Sequence, residues 1–116
     1  SSDLVVKDKS LEFAVRIVNL YKFLVNEQKE FVMSKQILRS GTSIGANIRE
    51  AEQAQSRADF INKLNIALKE ANETEYWLEL LIRTEYITRE QYESINNDST
   101  EINKLLISII KTTKNN

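Results

Sequence analysis

The sequence predicts an all-α protein folded as an antiparallel, up-down-up-down four-helix bundle. Three observations carry this. Apolar residues recur at three- and four-residue spacing in four successive segments. The chain has no proline and only two glycines, which leaves an all-β fold without its usual turn residues. The segments are long and the breaks between them short and polar, the pattern of helices that pack as antiparallel neighbours. At 116 residues, 41% of them hydrophobic, the chain fits a single domain over residues 1–116 with one core.

The first helix is expected over residues 10–26. Leu11, Ala14, Val15, Val18, Tyr21 and Val25 share helical spacing there, and Phe13, Ile17, Leu20 and Leu24 widen the apolar arc. The polar run from Asn26 to Glu30 reads as a connection. Ser34 is placed to cap a second helix whose core face is Ile37, Gly41, Ile44, Ile48 and Ala51. Ser56 and Asp59 form a Ser-x-x-Asp capping box that opens a third helix, with Phe60, Leu64, Ala67, Leu68, Ala71 and Leu78 facing the core. Running from about residue 57 to 83, that helix would be roughly 40 Å long at 1.5 Å per residue. Thr88 and Gln91 make a second capping box, and the fourth helix presents Tyr92, Ile95, Ile102, Leu106 and Ile109.

Both glycines, Gly41 and Gly45, fall inside the second helix, where each costs about 1 kcal/mol against alanine. Four residues apart, they share a face with Ile37, Ile44 and Ile48, and the missing Cβ atoms would let a neighbouring helix come close. A phosphate-binding loop does not fit, since no Gly-Lys-Ser/Thr follows and no strand precedes. Asn47 projects to the edge of the same face, the place of a structural polar anchor.

The chemistry available is narrow. The chain has no histidine and no cysteine, so thiol nucleophiles, disulfides, Cys or His zinc sites and Glu-x-x-His di-iron centres are excluded. No cofactor is expected. Only carboxylates such as Glu52, Glu70, Glu73 and Glu79 could hold a metal, and acidic residues on a helix exterior are ordinarily solvated. The net charge is −1, which argues mildly against a nucleic-acid-binding domain. Its distribution is uneven: net +3 over residues 1–69, −7 over 70–101 and +3 over 102–116. Such asymmetry serves complementary contacts between subunits, although drift in charge between solvated faces produces it too. No apolar run approaches the 18 residues of a membrane span, and no secretory signal pattern opens the chain, so a cytoplasmic setting is expected.

Two surface features stand out. Projected at 100° per residue, Lys35, Arg39 and Arg49 fall within an arc of about 80° opposite the apolar face of the second helix, a basic stripe suited to phosphate contacts or to an ordinary solvated face. On the third helix Ile66, Trp77 and Leu80 lie well over 90° from the core stripe, with Tyr76 further round. An aromatic residue on such a second face is either packed under a neighbouring element or part of a subunit contact, and the enrichment of aromatics at interface cores favours the contact. Glu75 projects toward the core, so it needs a partner such as Arg39 or Arg49, or exposure where the bundle end opens.

Several spaced blocks then agree, in order, with a known family. They are Leu38-Arg39-Ser40-Gly41-Thr42-Ser43-Ile44-Gly45-Ala46-Asn47-Ile48-Arg49-Glu50-Ala51, then Ser56-x-x-Asp59-Phe60-Ile61-x-Lys63-Leu64, Ala67-Leu68-Lys69-Glu70-Ala71 and Glu73-Thr74-Glu75-Tyr76-Trp77-Leu78. Together they resemble the proteins encoded in intervening sequences of bacterial 23S rRNA genes, also called S23 ribosomal proteins, to which the accessory variability protein of diversity-generating retroelements is related. The resemblance is densest over residues 34–82. It implies an antiparallel four-helix bundle and a ring-like homopentamer, and it does not imply an enzyme. Many members have glycine where this chain has Ala51, which implies a packing difference. The retroelement relative is strongly basic and works with nucleic acid, whereas the pI here is near 5.6.

The function these readings favour is a non-enzymatic, homopentameric helical bundle that assists nucleic acid, RNA included, or assembly. The alternative is a protein–protein adaptor whose basic stripe meets an acidic surface on another chain.

Overall fold

A computed structural model describes residues 2–116. Four helices account for most of them: α1 (Ser2–Asn26), α2 (Met33–Ala51), α3 (Arg57–Arg83) and α4 (Arg89–Lys114). They form an all-α bundle about 47 Å long and 22 × 19 Å across. Helix α1 packs on α2 and α4, and α3 packs on α2 and α4. The diagonals are therefore α1–α3 and α2–α4, the square of an up-down-up-down arrangement.

The core runs the length of the rod. Phe13, Ile17 and Leu24 of α1, Ile37 and Ile44 of α2, Leu64, Leu78 and Leu81 of α3, and Ile102 and Leu106 of α4 are its largest fully buried side chains. Each contributes about 1.5–3 kcal/mol by leaving water. The core residues expected on α2 are all buried. On α3 and α4 the expected faces are correct at their centres, while Phe60, Leu68 and Tyr92 are half-buried at the margin.

Helix α1 departs most from expectation. It begins at Ser2, not residue 10, and its first two turns bury Val6 and Ser10. Its broad apolar arc also divides. Phe13, Ile17, Leu20 and Leu24 enter the core, but Leu11 and Val15 point away from it and are 54% and 55% exposed. The arc contained two faces, and among the described residues only one is packed against the other helices.

Helix ends explain how a chain without proline, whose glycines lie inside α2, still turns. Ser34 does not cap α2. The Glu30 carboxylate does, accepting from the backbone N–H groups of Val32, Met33 and Ser34 at 3.2, 3.1 and 2.7 Å. A carboxylate satisfies more orphan donors than a hydroxyl and suits the positive helix end. Ser34 Oγ is left buried without a hydrogen-bond partner. Ser56 does cap α3, accepting from Asp59 N–H at 3.0 Å, while the Asp59 carboxylate accepts from Gln55 N–H and so closes the box one residue early. Thr88 and Gln91 form the full reciprocal box at α4. After α3, Glu85 takes a left-handed conformation (φ 65°). Tyr86 N–H donates to Leu81 C=O at 2.9 Å and Glu85 N–H to Ile82 C=O at 3.0 Å, a Schellman closure made without glycine. Lys29 (φ 55°) takes the same conformation in the α1–α2 connection.

Candidate functional surfaces

The α1–α2 seam is set by the glycine pair. A Cβ on Gly41 would stand 2.7 Å from Ile17 Cγ1 and 2.8 Å from Cγ2, and one on Gly45 would stand 3.3 Å from the Ser10 carbonyl oxygen. The two helices approach too closely at Gly41 for any side chain, and at Gly45 closely enough to press a side chain against backbone. Asn47 is half-buried and donates to its own helix, Nδ2 to Ser43 C=O at 2.9 Å.

Across the α2–α3 seam Ser40 and Thr74 are fully buried, and the Thr74 hydroxyl donates to Ser40 Oγ at 3.0 Å. Outside this pair the basic stripe on α2 is interrupted. The Arg39 guanidinium meets Glu70 at 3.1 Å and also bonds Glu73. These contacts, the Glu73 hydrogen bond foremost and the Glu70 charge next, hold Arg39 above its ordinary pKa. Glu73 also accepts from Trp77 Nε1 at 3.4 Å. Arg39 is thus tied to α3, whereas Lys35 and Arg49 are exposed and lack an ion pair among the described residues. The expected stripe is two cations flanking a neutralised third.

The remaining seams carry surface pairs. Lys9 meets Glu101 at 2.7 Å, and that hydrogen bond, reinforced by the Glu101 charge, raises the lysine pKa. Arg16 bonds Asp98 at 2.6 Å and Ser94 Oγ at 2.9 Å, joining α1 to α4, and Lys7 meets Glu52 at 3.0 Å. Exposed pairs of this kind contribute little to stability, because solvent screens them. Glu75 finds neither Arg39 nor Arg49. It accepts from Asn103 Nδ2 of α4 at 2.9 Å, because its position on α3 faces that helix.

The four α3 residues singled out for an interface do not form one uniform patch. Tyr76 is exposed and meets Trp77 edge to face, with ring centroids 5.0 Å apart. Trp77 is half-buried and leans on the core, while Ile66 and Leu80 are half-buried on the outer side. On α1, Leu11, Val15, Val18 and Val25, expected in the apolar arc of the first helix, belong to a second stripe. Leu4, Asp8, Leu11, Val15, Val18, Lys22 and Val25 alternate steps of four and three, the heptad seam of a helix that packs on another. Leu4, Leu11 and Val15 of that seam are exposed.

Among the described residues no group of three or more Asp or Glu side chains converges on a metal position, and no helix is long and apolar enough to cross a membrane. What the surfaces define is a helical bundle with two apolar outer faces and ion-paired seams.

The chain belongs to the 23S rRNA-intervening sequence protein family, whose pattern matches residues 2–108. It is also similar to a solved protein of unknown function from the S23 ribosomal protein family of Bacteroides thetaiotaomicron VPI-5482. The two are 97% identical over 96% of this chain and 99% of that one, with a TM-score of 0.95. A comparison with curated proteins finds no match.

Proposed function

We propose that the protein acts by association and not by catalysis: it is a self-assembling bundle, a ring of five copies, with the outer side of α3 at a subunit contact. The observation that carries this is the exposed Tyr76 ring, held edge-on by Trp77, with Leu80 one turn further on and Ile66 about 15 Å back along the outer side of α3. Aromatic residues in apolar surroundings are the usual centre of an interface. The resemblance to the rRNA intervening-sequence proteins supports the count of five.

Leu80→Asp and Tyr76→Asp test it. Trp77 is a poorer probe because it also leans on the core. Light scattering after size exclusion should show both aspartate variants shifted toward monomer with helical content retained. An unchanged oligomer in both refutes the assignment.

A second reading gives the assembled bundle an accessory role on RNA. It is favoured by Lys35 and Arg49, two exposed cations of α2 with no ion pair among the described residues. Binding carried by phosphate contacts weakens linearly on a log–log salt plot, and reversing both charges should flatten the slope. No binding at low salt leaves the adaptor role, with the same cations meeting an acidic protein.

A further inference from the structure

We infer that the outer seam of α1 is the complementary half of the subunit contact, so that α1 of one copy packs against the α3 face of the next, head to tail. This rests on the self-assembly proposed above and names the two surfaces involved. Leu4, Leu11, Val15 and Val18 sit on the outer side of α1, opposite Phe13 and Ile17, and Leu4, Leu11 and Val15 are left exposed by the described residues. The α3 face lies on the diagonally opposite helix. Two different apolar faces on opposite sides of one subunit make a heterologous contact, and a heterologous contact closes into a ring when its rotation allows.

The register agrees. Ser10 abuts Gly45 and Ile17 abuts Gly41, while Glu50 pairs with Lys63 and Ser40 bonds Thr74. Those links set Leu11 level with Ile66, and Val25 level with Leu80, so two parallel rods side by side would align the faces along their length. Lys22, exposed and without an ion pair among the described residues, comes level with Glu73 and Glu79 of α3, whose carboxylates meet Arg39 and Arg83 within the chain. Charge favours the same pairing. Between the two contact helices the balance is opposite in sign: α1 holds four basic and three acidic residues, and α3 four basic and five acidic. A two-fold contact of α1 with α1 would bring two net-positive sides together.

Both faces also border α2. Leu11 and Ala14 line a groove of about 350 Å³ with Thr42, Gly45 and Ala46 of that helix, and Trp77 is linked through Glu73 to Arg39. The angle between the faces is therefore narrower on the α2 side, and ring closure turns α2, with Lys35 and Arg49, toward the inside.

The chain has no cysteine, so introduced thiols report contacts without background. Leu11→Cys and Ile66→Cys combined in one chain should give, on mild copper–phenanthroline oxidation, a ladder of disulfide-linked species ending at the size of the intact ring. Mixing the two single variants should give linked pairs, while each single variant alone, and Val15→Cys alone, should stay unlinked. Self-linking of Val15→Cys or Leu11→Cys overturns the inference in favour of a two-fold α1 contact. An unlinked double variant whose native mass is still that of an oligomer overturns it while leaving self-assembly standing. A monomeric native mass of the unmodified protein refutes both.

Discussion

Replacing Gly41 with alanine should destabilise the protein even though alanine is the better helix former. The added Cβ would stand 2.7, 2.8 and 3.1 Å from Cγ1, Cγ2 and Cδ1 of Ile17, a fully buried residue. Comfortable carbon–carbon contact begins near 3.5 Å, so two γ-carbons overlap by about 0.7–0.8 Å. They sit on a β-branched side chain that is stiff at χ1, so the strain passes to the α1–α2 spacing. Overpacking of this kind costs about 1–3 kcal/mol, and relief of the glycine helix penalty returns about 1 kcal/mol. The net effect is a loss of up to about 2 kcal/mol. At Gly45 the nearest contacts are 3.3, 3.4 and 3.5 Å, so the same helix gain roughly offsets a mild compression against the Ser10 carbonyl, and Gly45→Ala should lie close to neutral. Ile17→Ala supplies the control. It costs about 2–5 kcal/mol by itself, but it opens the space opposite Gly41, so Gly41→Ala should become stabilising in that background. Urea unfolding followed by far-UV circular dichroism reads all four variants, at one protein concentration because assembly feeds into stability. Gly41→Ala matching Gly45→Ala in the native background, or keeping its sign beside Ile17→Ala, refutes the close-approach account.

Two further substitutions test the turn chemistry. Glu85→Gly should stabilise by about 1 kcal/mol and raise the midpoint by about 4 °C in a thermal scan, because the Schellman closure after α3 holds a glutamate in the left-handed region. A lower midpoint would contradict it. Glu30→Ala should cost about 1–3 kcal/mol, since three backbone donors at the start of α2 lose their acceptor, and Glu30→Gln should cost less. Equal stability of Glu30→Ala and the parent in urea would show that solvent replaces the cap.

The parts of the fold that could be read in the sequence are those fixed by neighbours in the chain. The α3 and α4 starts follow from Ser56 and from Thr88 with Gln91, whose bonds span three residues. The core face of α2 follows from one strict apolar stripe. On α1 periodicity could not choose, because two apolar stripes share the helix and only the position of α2 and α4 decides which one is buried. The start of α1 was missed for the same reason: Val6 is apolar only in the company of exposed Leu4 and Val5, and its burial depends on the far ends of the other helices. Ser34 is a good cap residue by type, yet Glu30 takes the role because a left-handed Lys29 bends the chain back and brings its carboxylate over the helix end. For the surface, spacing placed Lys35, Arg39 and Arg49 on one arc, but Arg39 is drawn away by two carboxylates on α3, 31 and 34 residues further along.

The claim that this bundle works by associating with itself is tested most directly by native mass spectrometry of the purified, unmodified chain. The account predicts a closed oligomer, five times the 13.4 kDa protomer. A single 13.4 kDa species at micromolar concentration would contradict it.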